Sequence, residues 1–342
     1  MKGSTHALSM LAAFAIMALP AHDARAQTAT AKIVANANAF LATLDSAQRQ
    51  RVMFAFDNDA QRVRWSNLPV TIVKRTGISM GEMTPAQREA AMKLLQATLS
   101  PRGFQKVGEI VQADQVLKTS QNNSPMFGND LYYISFLGTP STTKPWMLQF
   151  GGHHLGLNVT IIGEKGIMTP SLTAAQPAMY TVNGKTIRPL GAENDLAFAL
   201  LNALDQQQKA QAVLTYRVPD LVLGPGKDGR PILPEGLIAS AMNPSQQALL
   251  LDLIAQWSGI VHESAADARM AEIKAGLAKT YFAWSGPMTV EPGKNGTAYF
   301  RVTGPNLVIE YAPQVMGGDA SMHIHSIYRD PTDDYGKKYL IR

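Results

Sequence analysis

The sequence predicts an α+β protein built from two tandem copies of one module, helices followed by an antiparallel meander, packed about a pseudo-two-fold axis. Three observations lead there. Short segments recur in one order, helix-start signals recur at matching places, and the apolar pattern then switches to strands. The recurring pairs are Leu44-Asp45 with Leu204-Asp205, Met83-Thr84-Pro85-Ala86-Gln87 with Met242-Asn243-Pro244-Ser245-Gln246, Tyr133-Ile134-Ser135-Phe136 with Tyr281-Phe282-Ala283-Trp284, and Trp146 to Phe150 with Ala298 to Val302. Their offsets are 160, 159, 148 and 152 residues. Ordered self-similarity with a slowly drifting offset is the mark of an internal repeat.

The elements follow in order. Residues 1–26 read as a secretory signal peptide: Lys2 gives a positive start, Ala7 to Leu19 is almost wholly apolar, and Ala24-Arg25-Ala26 is a cleavage site after Pro20. The apolar run is shorter than a spanning helix needs, and no later segment reaches that length. The mature chain is expected to be soluble and periplasmic or secreted, with no integral membrane segment. Residues 27–165 form the first repeat, 166–195 a Pro-, Gly- and Thr-rich linker, and 196–342 the second repeat, ending in a tail with His323-Ile324-His325.

Helices start where a cap is available. Asp45, Thr84, Asp205 and Asn243 each have Gln three residues on, so the cap oxygen and the Gln side chain can satisfy each other's backbone N–H groups. Pro85 and Pro244 sit at the first helical position, where the missing N–H costs nothing. Apolar residues from Ala91 to Thr98 and from Leu249 to Trp257 keep helical spacing. Strands follow at 131–137, 146–150 and 154–162, with Gly151-Gly152 as the tight turn, and again at 280–284, 298–303 and 307–311. Residues 224–234 read as a long loop.

Composition narrows function. The chain has no cysteine, which removes disulfides, thiolate metal sites and a cysteine nucleophile. Its net charge of +5 is spread out, with no basic run longer than two and no basic stripe interleaved with aromatics, so nucleic acid is not an expected partner. There is no H-E-x-x-H. Gly224 and Gly226 lack the strand–helix setting of a phosphate loop. Ser141 to Lys144 lies in a turn, and the 16 methionines are scattered.

Histidine is distributed differently. Of the five after residue 26, four fall in two clusters, His153-His154 and His323/His325. Alternation on an extended segment puts both imidazoles of an H-x-H on one side. Without thiolates, imidazole plus carboxylate remains the way to hold a transition metal such as Zn, Cu or Fe. The candidate ligands are therefore His153, His154, His323 and His325. Alternation from His154 puts Asn158 on the same face, and the repeat matches Asn158 to Glu310. Two-fold packing would bring Glu310 to a pocket shared with His154, as a further ligand or general base. Arg329 and Asp330 complete the candidate catalytic set, and Trp65, Asn158 and Asp334 the candidate substrate contacts, for a small polar or anionic ligand. The chemistry stays open between a metal-dependent hydrolase, a metal-dependent oxidoreductase, a metal-free acid–base enzyme, and a non-catalytic protein that binds ligand or metal. His262 reads as structural or solvated.

These motifs carry a resemblance. Trp65-Ser66-Asn67-Leu68-Pro69, Gln149-Phe150-Gly151-Gly152-His153-His154-Leu155, Gly304-Pro305 through Ile309-Glu310-Tyr311, and His323-Ile324-His325-Ser326-Ile327-Tyr328-Arg329-Asp330 with Asp334-Tyr335-Gly336 resemble the domain of unknown function 3500 family along nearly the whole mature chain. The resemblance implies this motif set and no reaction. The chain departs from it before the H-x-H, where Gln314-Val315-Met316-Gly317-Gly318-Asp319 replaces an expected Asn-containing segment.

Overall fold

A computed structural model describes the backbone of residues 21–340 and the side chains from residue 27. The first 20 residues, and with them the apolar run of the expected signal peptide, lie outside the described residues. The expected cleavage site falls in the first turns of helix α1 (Ala21–Ala42).

Among the described residues four α-helices start on complete capping boxes. They are α2 (Ser46–Val52), α3 (Pro85–Thr98), α4 (Gln206–Ala212) and α5 (Pro244–Ser258), capped by Asp45, Thr84, Asp205 and Asn243. Each cap is worth about 1 kcal/mol. The Gln partners do more. Gln87 Nε2 donates to Gln48 Oε1 and Thr43 O, and Gln246 Nε2 donates to Gln208 Oε1 and Ala203 O. The same cross-brace thus ties two helix starts together in both halves of the chain.

The strands are β1 (Tyr133–Leu137), β2 (Trp146–Gly152), β3 (Leu155–Ile162), β4 (Ser171–Ala175), β5 (Tyr281–Ser285), β6 (Tyr299–Gly304), β7 (Leu307–Pro313) and β8 (Ile324–Arg329). They join one sheet in the order β1-β2-β3-β4-β8-β7-β6-β5, with short edge strands at Met53–Phe54 and Leu237–Ile238. Every contact among the eight is antiparallel. Gly77 and Gly236, at φ 96° and 95°, lie just before Ile78–Ser79 and Leu237–Ile238, short strands that pair β1 and β5. A Cβ on either would fall about 2 Å from a β1 or β5 carbonyl oxygen, so only glycine fits.

The sheet has two different faces. Ile134, Phe136, Leu148 and Phe150, like Trp284, Phe300, Ile309 and Ile324, join the cores formed with the helices. Met147, Leu172, Ala174 and Ile327 of the same sheet turn the other way and meet Trp65, Leu221 and Tyr335, which come from loops and the C-terminal tail. One face is therefore covered by helices and the other by irregular chain.

Two expectations change. The stretch 166–195 is no plain linker. It contributes β4, which pairs with both β3 and β8 and joins the two meanders. And Gly151 and Gly152 are strand residues, not the turn. A Cβ on Gly151 would lie 2.4 Å from Leu155 O, and one on Gly152 2.5 Å from Leu131 O, so both glycines serve close backbone approach. The turn itself is His153-His154.

Candidate metal centre

The hairpin turn sets the first candidate ligand. His154 has φ 62°, a left-handed conformation that non-glycine residues adopt at a cost of order 1–3 kcal/mol. Its backbone is pinned on both sides: its N–H donates to Asn67 O (3.3 Å) and its carbonyl accepts from Ala174 N–H (2.9 Å). Arg75 holds the loop carrying Asn67, donating to the carbonyls of Ser66, Leu68 and Gly152. The other candidate ligands come from the far end of the chain. His323 precedes β8 and His325 lies on it, paired with Ala312 and Ala174.

Three imidazoles converge there. Nε2 of His323 lies 3.1 Å from Nε2 of His154 and 3.1 Å from Nε2 of His325. The ligand atoms of the three all fall within 4.8 Å of one another, and all three residues are buried. Two metal–nitrogen bonds of about 2.05 Å spanning 3.1 Å subtend about 100°, between octahedral and tetrahedral angles.

The outer nitrogens are held. His323 Nδ1 lies 2.7 Å from Met316 O, and His325 Nδ1 lies 3.3 Å from Asp220 Oδ1. A carbonyl and a carboxylate only accept, so both Nδ1 atoms carry hydrogen, and the tautomer this selects presents an Nε2 lone pair to the centre. Gln314 Nε2 donates to Asp220 (2.9 Å), so an amide next to the H-x-H steadies the carboxylate that orients His325. Burial pushes His323 down to about 4, and burial with the neighbouring imidazoles pushes His154 well below its ordinary value. For Asp220, burial works upward, but bonds from His325, Leu221 N–H and Gln314 outweigh it and hold the acid below the usual range.

His153 stands beside this group. Its ring stacks on His154 at 3.7 Å between centroids, and its Nδ1 lies 2.6 Å from Asp114 Oδ1. Asp114 also accepts from Gly128 N–H.

The remaining candidates lie elsewhere. Glu310 accepts from Val222 N–H (2.5 Å), Leu223 N–H (2.8 Å) and Tyr299 OH (3.1 Å), and so anchors the loop that delivers Asp220. Asn158 accepts from Gln149 Nε2 and donates to Pro170 O. Arg329, Asp334 and Trp65 form a second buried network: Arg329 bonds Asp334, Asp228 and the carbonyls of Leu223 and Gly224, and lies over the Trp65 ring. Trp65 Nε1 donates to Tyr335 OH, which donates to Asp228. Asp330 pairs with Arg269 at 3.1 Å beside a separate cavity.

Asp220 and Asp114 were not singled out in the sequence, and Asn67 and Met316 appear there only inside longer segments, without a role. Asp114 left a signal, since it follows Val107, Ile110 and Ala113 on the apolar face of a helix and must be buried with them. Asp220 left none.

His262 is buried rather than solvated. It precedes the helix Glu263–Ala275, its Nε2 has no partner, and burial pushes its imidazole down to about 4. The unfolded chain takes up this proton below about 6.5 and the folded chain only near 4. The stability it contributes is therefore complete above pH 6.5 and lost as pH falls to 4, at most about 3 kcal/mol. Urea unfolding at pH 7 and pH 4.5 is expected to show this loss in the metal-free protein, and His262→Gln to reduce it. An unchanged slope in the variant would remove His262 as its source.

Among the described residues no helix is long and apolar enough to cross a membrane. No curated protein matches the chain, and no solved structure does. Residues 26–337 match the model of a family described as protein of unknown function (DUF3500), and over nearly its whole length the chain belongs to that family.

Proposed function

We propose that the protein is an exported metal-dependent enzyme, a hydrolase or an oxidoreductase, that binds one Zn, Cu or Fe ion through Nε2 of His154, His323 and His325. The observation that carries this is the pair of anchored outer nitrogens. With Met316 O and Asp220 fixing both Nδ1–H groups, two Nε2 lone pairs face each other at 3.1 Å. That contact calls for a cation. A proton would answer one contact, whereas a metal ion answers all three imidazoles together. A carbonyl or carboxylate behind each ligating imidazole is the usual support of a metal centre.

Three protein ligands leave a position for water, whose pKa a metal lowers toward neutrality, or for a small polar or anionic substrate. Glu310 and Gln314 act through Asp220. Asp220→Asn is expected to weaken metal binding about 10- to 100-fold, read by competition with a chromophoric chelator. Unchanged affinity would assign Asp220 to the loop alone.

A second reading, non-catalytic metal capture, draws on burial, since the three residues are only 3–6% exposed. Cobalt substitution separates the two. If a coordination position exchanges, azide shifts the visible cobalt bands. If azide leaves them unmoved, the sphere is closed and the enzyme reading fails.

We also read the two halves as copies of one ancestral module. The repeated Gln cross-brace, the Gly77/Gly236 pair and the sheet order, alike from either end, support this. Export rests on the sequence of residues 1–26, and the family match begins at residue 26. Recovery of a mature chain starting at Gln27 from the periplasm or medium tests it.

A further inference from the structure

A cavity of about 480 Å³ lies apart from the histidines, between the hairpin around Lys165–Ile167, the helix Glu263–Ala275 and the segment 330–339. Its volume falls in the range of small-molecule sites. None of the four clustered histidines lines it.

Its wall is ionic but internally settled. Arg269 donates to Tyr328 OH (2.9 Å) and Glu272 (3.0 Å) and pairs with Asp330 (3.1 Å). Lys338 lies 3.9 Å from Asp333, and Lys165 donates to Tyr339 OH (2.9 Å) while lying over the Tyr339 ring. Three cations thus stand against the four carboxylates Glu164, Glu272, Asp330 and Asp333. So balanced a set offers little net field to draw in an ion. It does offer alternating donors and acceptors. Each carboxylate keeps spare lone pairs, and the Lys165 ammonium uses one of its three protons on Tyr339. The Thr169 hydroxyl, at the same wall, is buried without a protein partner. Ile167, Met168 and Val261 supply apolar surface beside these groups. Closely spaced donors and acceptors beside apolar and aromatic surface suit a molecule that carries many hydroxyls and no net charge.

We propose that this cavity is a second ligand site, for a neutral polyhydroxylated molecule of mono- to disaccharide size. It is independent of the metal centre, so either reading can fail alone. The test is a ligand-observed NMR titration of the full mature protein with glucose, N-acetylglucosamine, maltose and cellobiose, and with citrate and spermidine as charged probes. At least one neutral sugar is expected to saturate. Ala268→Trp, at an exposed wall position, is expected to weaken that binding at least about tenfold while metal content and melting temperature stay as in wild type. Should the indole disturb folding, Lys165→Met on the exposed hairpin serves as the second variant, with a loss expected there too. The proposal is overturned if no neutral probe saturates by about 50 mM, if only citrate or spermidine binds, or if sugar binding survives in a folded variant.

Discussion

Removing the metal is expected to lower the melting temperature by on the order of 10 °C. An ion that binds the folded chain and not the unfolded one stabilises it by RT ln(1 + [L]/Kd), which is about 4 kcal/mol at a thousandfold excess over Kd. A chain of this size gains about 2–4 °C per kcal/mol. On the proposed reading the site has a further reason to need the ion. Without it, the lone pairs on Nε2 of His323 and His325 face each other at 3.1 Å while both outer nitrogens stay committed. Scanning calorimetry of chelated and metal-loaded protein reads the shift directly. His154→Ala should bring the two curves together, since it removes one ligand and leaves the other two anchored. Coincident curves in the wild type would mean that no ion of consequence binds there.

Arg329→Met is expected to cost about 3–5 kcal/mol of stability, the largest effect of any single substitution outside the core. Arg329 is 2% exposed and makes four hydrogen bonds at once, to Asp334, Asp228 and two carbonyls. Burial works against its charge, but Asp334 and Asp228 hold its pKa above the ordinary value. Methionine fills similar space and leaves Asp334, itself 3% exposed, without its cation. Pairing the change with Asp334→Asn should recover part of the loss, because the stranded charge goes with it. A denaturant midpoint unchanged from wild type would contradict this. A substitution that spares stability and abolishes binding of an anionic probe would instead make Arg329 a ligand contact.

What could be read from the sequence was local. The four capping boxes form as the spacing of Asp, Thr or Asn with Gln predicts, because both partners lie within one turn. The H-x-H places two imidazoles on one side because a strand alternates. Gln149 lies opposite Asn158 and Arg301 opposite Glu310, pairings between neighbouring strands of each hairpin. The illegible parts depend on distant chain. Ser171–Ala175 is five residues long, sits in a stretch with Pro170 and Pro177, and becomes a strand because β3 and β8 supply partners on both sides. The Gly151-Gly152 pair looks like a turn in sequence, and only the crossing carbonyls of Leu155 and Leu131 show why glycine is needed inside the strand. Asp220 reaches His325 from 105 residues away, on a loop anchored by Glu310. No spacing rule encodes such a contact. It also gives Glu310 something to do at a distance from the imidazoles, since its carboxylate fixes the loop rather than meeting the ring nitrogens.

The most direct test of the metal centre is elemental analysis of the mature protein, purified without a histidine tag, beside the His323→Ala/His325→Ala double variant. Near-stoichiometric metal in the wild type, lost from a variant that keeps its circular dichroism and cooperative melting, is the expected result, and it names the element. No metal in either protein, even after reconstitution with Zn, Cu, Fe and Mn, would contradict the account and leave the three imidazoles as an acid–base or ligand-binding cluster.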